Sequence, residues 1–318
     1  MEDQFVIGVD LGGTKIAVAA GDSNGSILSK ITKPTNPQQG VTFVVNSIIS
    51  CINETINSAG LSSRNIKAIG LGVPGPINRE SGSVIFAPNL MWHDVPIVHL
   101  LTRVIDVPVC LENDANIAAL GEYQFGAGKG SENMIYITVS TGIGGAFILG
   151  GEIYLGSHGM AGEVGHMTIV DEGPFCGCGN QGCLEALAAG PAIAKRAQAS
   201  ILHGDETIMK DMVNGYINRI TAEIVSDAAL KGDIVAGEII TKAGEYLGIG
   251  ISNLINIINP DTIVIGGGVT NVGELLFKPL RKTAERRGIK AAFNKVKIVR
   301  SKLQSDAGLI GAICLALK

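Results

Sequence analysis

The chain has 318 residues, 46% of them apolar and 17% charged, enough to bury a large core divided between two lobes. Its formal charge of −4 carries no long basic block, which argues against nucleic acid or an anionic membrane as a partner and favours a small neutral or anionic ligand. Met1-Glu2-Asp3 opens the chain without a secretory pattern, and no apolar run is long enough for a bilayer. Val6 to Val9, Ile16 to Ala20 and Ile27 to Ile31 read as three short strands joined by glycine-bearing turns. Val41, Val44, Val45, Ile48, Ile49, Ile52 and Ile56 then recur at helical spacing. A strand over Ile66 to Gly72 runs into Pro74-Gly75-Pro76, and another over Val107 to Leu111 leads to Glu112-Asn113-Asp114 and an alanine-rich helix from Ala115 to Phe125. A second β-meander begins at Met134. The stretch from Pro191 to Asn259 is mostly helical, and Thr262 to Ile265 is a buried strand.

Ile7 to Val18 can be laid over Ile137 to Ile148, each reading strand, glycine turn, strand. Two such units more than a hundred residues apart suggest duplicated α/β lobes facing a cleft, although chance resemblance between two glycine hairpins accounts for the match equally well.

In Asp10-Leu11-Gly12-Gly13-Thr14-Lys15 the glycines leave amides bare, Thr14 adds a hydroxyl, and Asp10 can hold Mg²⁺ through water. Thr141-Gly142-Ile143-Gly144-Gly145 is a second loop of the same kind. Together they suit the phosphates of a nucleotide, whereas a lone glycine pair would more often be only a tight hairpin. Gly266-Gly267-Gly268 follows a buried strand and suits close approach of an adenosine, or merely a turn into a helix. The dinucleotide spacing Gly70-x-Gly72-x-x-Gly75 is rejected because prolines bracket its last glycine, and no P-loop lysine is present.

Asp114, at the end of a strand, fits a base for an attacking hydroxyl, with Asn113 beside it offering a donor and an acceptor; the bland alternative is a helix cap. The most specific segment is Glu163-x-x-His166 followed by Cys176-x-Cys178-x-x-x-x-Cys183-x-Glu185. Three thiolates and an imidazole compose a closed tetrahedral zinc site. Clustered thiols call for a reducing compartment, hence the cytoplasm. Folding around the ion would bring Glu163 and Glu185 beside the same pocket, where carboxylates accept from sugar hydroxyls.

These motifs, with Gly72-Val73-Pro74-Gly75-Pro76 and Pro88-Asn89, resemble the ROK family of repressors, open reading frames and kinases, and within it the bacterial glucokinases. The resemblance runs nearly the whole length. It implies an α/β, two-lobed, actin-like ATPase fold of duplicated ribonuclease H-like units with an interdomain active-site cleft. Residues 1–115, completed by a C-terminal helix within 303–318, would form the small lobe, and residues 116–302 the large lobe carrying the zinc loop. It implies ATP-dependent phosphorylation of a hexose at its 6-hydroxyl, glucose first, with Asp114 as base and Asn89, Asn113, Asp114, Glu163, His166 and Glu185 on the sugar. ATP with Mg²⁺ would meet Asp10, Gly12, Gly13, Thr14, Lys15, Thr141, Gly142, Gly144, Gly145, Gly266, Gly267 and Gly268. Zn²⁺ would be held by His166, Cys176, Cys178 and Cys183, and the chain would assemble as a homodimer or homotetramer. An N-acetylmannosamine, N-acetylglucosamine or fructose kinase is the nearest alternative. A non-catalytic, sugar-responsive regulatory protein is another, although only nine residues precede Asp10, where ROK repressors carry their helix-turn-helix domain.

Overall fold

The computed structural model describes residues 5–318; the amino-terminal reading on Met1 to Asp3 lies outside them. Eight strands come first: β1 (Phe5–Leu11), β2 (Lys15–Gly21), β3 (Ile27–Pro34), β4 (Ile66–Val73), β5 (Ile77–Asn78), β6 (Ser83–Ala87), β7 (Trp92–Val95) and β8 (Val109–Asn113). Among them run helices α1 (Val41–Ser58) and α2 (Ile97–Thr102), and α3 (Asp114–Gln124) follows. One sheet has the order β3-β2-β1-β4-β8, with β1, β2 and β3 antiparallel and β1, β4 and β8 parallel. Strands β5, β6 and β7 make a small antiparallel sheet.

The middle strand β1 is buried on both faces, so it reads as an unbroken apolar run rather than an alternation. Ile7, Val9 and Leu11 join Val44, Ile48 and Ile52 of α1 and Ile97 and Leu101 of α2 in one core. Val6, on the opposite face, packs with Ala17 and Ala19 against Leu309 and Ile313 of the carboxyl-terminal helix.

The second half contains β9 (Met134–Val139), β10 (Ile143–Leu149), β11 (Glu152–Ile153), β12 (Thr262–Gly266) and β13 (Lys297–Arg300), in the order β11-β10-β9-β12-β13. Its helices are α4 (Leu184–Ala188), α5 (Gly190–His203), α6 (Met209–Met212), α7 (Ala222–Leu230), α8 (Ile234–Ile258), α9 (Glu274–Arg287) and α10 (Lys290–Phe293); α11 (Ala307–Leu317) ends the chain. Counted along the chain, both five-stranded sheets have the order third-second-first-fourth-fifth. The chain divides into two compact units, residues 1–130, 146–161 and 301–318 in one and residues 131–145 and 162–300 in the other. Among the described residues no helix is long and apolar enough to cross a membrane.

The duplication is present, but two residues out of the register in which the sequences were overlaid. Strand β1 ends at Leu11 and β2 starts at Lys15; β9 ends at Val139 and β10 starts at Ile143. Gly12 therefore corresponds to Ser140 and not Gly142, and Asp10, opposite Gly72, corresponds to Thr138, opposite Gly266. A slip of two leaves every side chain on the same face of the sheet, so apolar alternation cannot detect it. In either register Asp10 has no carboxylate counterpart, so the two strand ends are chemically unequal.

Candidate active site

Parallel strands present their functional groups at their carboxyl ends, and both units follow that rule. In the first unit, Asp10 lies opposite Gly72, which lies opposite Glu112. The turn after β1, Gly12 to Thr14, is braced by Gly12 N–H donating to Lys15 O (2.9 Å) and by the buried Thr35, whose hydroxyl donates to Gly12 O (2.7 Å) and whose N–H donates to Thr14 O (3.0 Å). Thr14 and Lys15 are exposed. Gly13 is a glycine because of its neighbour, since a Cβ there would come within 2.9 Å of the Asn89 Cβ. The structure thus places exposed Asn89 against the first glycine turn. Asp10 is half-buried, with its carboxylate packed against the backbone at Gly308 in α11. Burial pushes its pKa up, while Lys15 and Lys30 pull it down.

At the end of β8, Glu112 is buried and accepts from the Arg79 guanidinium in a two-point pair, from Asn113 N–H (2.8 Å) and from the Asn116 amide (2.9 Å). The helix cap is Asn113, whose side-chain oxygen accepts from Ala115 N–H (2.9 Å) while its amide donates to Gly75 O (3.0 Å). Those bonds still leave Asn113 one N–H and one lone pair for a ligand. Asp114 is the first residue of α3, exposed, with one oxygen accepting from Ala115 N–H (2.8 Å). Asn113 is thus the N-cap, and Asp114, one position into α3, shares the Ala115 N–H with it.

In the second unit a hairpin gathers the sulfurs. Cys176 N–H donates to Asn180 O, Gly179 N–H to Cys176 O and Gly182 N–H to Pro174 O, while Leu184 N–H, donating to Met167 O, brings alongside the 3₁₀ turn that ends at His166. Cys176 Sγ lies 3.6 Å from His166 Nδ1, and Cys178 Sγ 3.7 Å from Cys183 Sγ. Ligand bonds of ~2.3 Å to sulfur and ~2.05 Å to nitrogen at tetrahedral angles predict edges of ~3.8 and ~3.6 Å, so the observed spacing suits one tetrahedral ion. All four donor atoms lie within 4.8 Å of one another. The sulfurs are far beyond the ~2.0 Å of a disulfide. Burial pushes the Cys183 thiol up to about 12 and raises that of Cys176, whereas the exposed Cys178 is lowered, chiefly by the Asn180 N–H. Three thiols this crowded, two of them reluctant to ionise alone, are a donor set that a divalent cation would deprotonate.

The other ring nitrogen, His166 Nε2, is 3.8 Å from the exposed Glu163 carboxylate. Glu185, in the first turn of α4, reaches both neighbours: Oε1 is 3.7 Å from Cys176 Sγ, and Oε2 accepts from Ile143 N–H at 2.9 Å. A Cβ on Gly142 would come within 2.5 Å of that oxygen, so a larger residue there would push the Glu185 carboxylate aside. Of the second loop, Thr141 and Gly142 lie in the turn, while Gly144 and Gly145 lie inside β10. Gly266 ends β12, Gly267 follows it, and Gly268 begins a 3₁₀ turn.

A cavity of about 680 Å³ opens beside this turn. Thr141, Gly268 and Asn271 line it from the strand ends, and Thr221, Glu223 and Asp227 from α7 and its N-cap. Only Thr141 and Gly268 of these were legible as site residues in the sequence. The α7 residues belong to no motif, and nothing in an ordinary capped amphipathic helix sets them apart.

The sheet order and the paired glycine turns are those of the actin-like ATPase fold. The ROK family profile matches residues 6–318, and the chain belongs to that family. It is 38% identical to a glucokinase of Halalkalibacterium halodurans over 98% of this chain and 94% of that protein. It is 33% identical to the xylose repressor of Caldicellulosiruptor bescii over 98% of this chain and 78% of the repressor. A ROK glucokinase of Streptomyces griseus, solved in complex with glucose and AMPPNP, superposes with a TM-score of 0.85 at 35% identity, covering 98% of each chain.

Proposed function

We propose that this chain transfers the γ-phosphoryl group of ATP to the 6-hydroxyl of glucose. It is an ATP-dependent phosphotransferase of the hexokinase type, and the observation that carries the reading is Asp114. Its carboxylate is exposed at the carboxyl end of β8, on a helix start whose capping is done by Asn113 and whose approach is fixed by the Arg79–Glu112 pair. Phosphoryl transfer asks a protein for positioning, charge neutralisation and a base near the hydroxyl. Asp114 takes the proton of the 6-hydroxyl as its oxygen attacks the γ-phosphorus, and ADP leaves.

Asn89, Asn113, Glu163, His166 and Glu185 orient the sugar. The amides of Gly12, Gly13 and Gly142, with the hydroxyls of Thr14 and Thr141, hold the phosphates, and the cavity beside Thr141 takes the nucleoside. Asp10 would hold Mg²⁺, which when bound would supply charge neutralisation for the transferring phosphoryl group. His166, Cys176, Cys178 and Cys183 would hold one structural Zn²⁺, and clustered thiols suit a reducing compartment, so the cytoplasm is the location proposed. A homodimer or homotetramer is the assembly proposed.

A coupled assay for ADP over glucose, fructose, N-acetylmannosamine and N-acetylglucosamine tests this. The highest kcat/KM is expected on glucose; an equal or better value on another sugar refutes the glucose assignment. Similarity to a xylose repressor keeps one second reading in play, a sugar-responsive regulator, and absence of ADP with every hexose favours it.

A further inference from the structure

Two classes of phosphoryl donor, ATP and inorganic polyphosphate, differ in what lies beyond the phosphates they share, and the lining of the cavity beside the second glycine turn bears on which of them fits. ATP places a neutral nucleoside beyond its phosphates, whereas inorganic polyphosphate continues there with about one negative charge per phosphate. Glu223 and Asp227 are four residues apart on α7, hence on one face, and both line the cavity and are exposed. None of the residues lining it carries a positive side chain. Arg300 is close, but it reaches the wall only through Asn271, donating to its side-chain oxygen at 2.6 Å. That bond turns the Asn271 amide into a donor for whatever enters. The wall therefore offers two carboxylate acceptors and only neutral donors, among them the Asn271 amide and the Thr141 and Thr221 hydroxyls, groups that complement the hydroxyls and ring nitrogens of a nucleoside, while the carboxylates oppose an anion.

We propose that Glu223 and Asp227 make this chain selective for a nucleoside triphosphate by repelling inorganic polyphosphate from the nucleoside cavity. The inference rests on the reading of the protein as an ATP-dependent sugar kinase, and it adds which residues set the choice of donor. Like charges brought together at a recognition surface reject a wrong partner by on the order of 100-fold. The effect weakens as salt screens it.

The test displaces a fluorescent ATP analogue with ATP or with polyphosphate of about 15 phosphates, at low and high salt, and measures glucose 6-phosphate formed from each donor. Polyphosphate is expected to displace the analogue at least about 100-fold less well than ATP. Reversing both charges in Glu223→Lys/Asp227→Lys should narrow that gap at least about tenfold, with Glu223→Gln/Asp227→Asn intermediate. The neutral pair keeps the test decisive if the reversed pair does not fold. Equal displacement by the two donors in the unaltered protein overturns the proposal, as does a gap that neither double variant changes. Selective nucleotide displacement without phosphorylation of any sugar would leave the donor preference standing and remove the proposed function.

Discussion

Removing the Glu185 side chain exposes what the zinc loop and the second glycine turn owe each other. Glu185 Oε2 is the acceptor for Ile143 N–H at 2.9 Å, and Ile143 is buried, so truncation to alanine strands a donor away from water. An orphaned buried group costs about 1–3 kcal/mol, equivalent to a roughly 5- to 150-fold rise in local opening. Glu185→Gln keeps an acceptor and loses only the charge, for about 1 kcal/mol. Native-state hydrogen exchange at the Ile143 amide measures this directly, because it reports the opening of that turn rather than unfolding of the whole chain. Protection should fall in the order Glu, Gln, Ala. If the turn also holds phosphates, KM for ATP rises in the alanine variant together with KM for the sugar. Unchanged Ile143 protection in Glu185→Ala would show that the carboxylate does not brace the turn, and an unchanged KM for ATP would detach the turn from the donor.

Asp114→Asn should lower kcat about 10²- to 10⁴-fold with little change in sugar affinity, read by steady-state kinetics beside equilibrium sugar binding; near-normal turnover removes Asp114 from the base role. Freshly purified protein should contain about one equivalent of zinc per chain, and chelation should lower both its thermal midpoint and its sugar binding; metal analysis finding no zinc contradicts the site. Asp10 has its pKa raised in the folded chain, so ionising it opposes folding at neutral pH, and that cost vanishes as pH falls below the unfolded value of 3.8. In the metal-free protein Asp10→Asn should therefore melt higher at pH 7, with the difference shrinking toward pH 4. An equal or lower midpoint at pH 7 refutes that account.

Local pattern carried much of this architecture. The first three strands, α1 and the helical stretch before β12 follow from alternation, helical spacing and breakers, which are properties of neighbouring residues. The His/Cys cluster was legible because three cysteines within eight positions, with glycines between them, are rare outside metal-binding sets. Pairings across sequence distance were not legible. Arg79 and Glu112 are thirty-three positions apart, and neither residue type announces a partner. The small β5-β6-β7 sheet escaped because its strands have two to five residues, too few to show a period. Nothing in the sequence sets Glu122 apart from other helical glutamates. It is instead fully buried in α3, accepting from Ala127 N–H (2.7 Å), the Ser301 hydroxyl (2.5 Å), Lys302 N–H (3.2 Å) and Leu303 N–H (2.8 Å).

Those four bonds have a consequence for the newborn protein. Ala127 and Ser301 lie near the points where the chain first leaves the first unit and last returns to it. Until the segment around Ser301 has been made, Glu122 lacks three of these donors, and until α11 follows, the sheet face carrying Val6, Ala17 and Ala19 has no cover. At ribosomal speeds of ~5–20 residues per second, that interval lasts roughly 10–40 s. The second unit is synthesised within it and can fold first, so the half of the protein begun earliest is finished last.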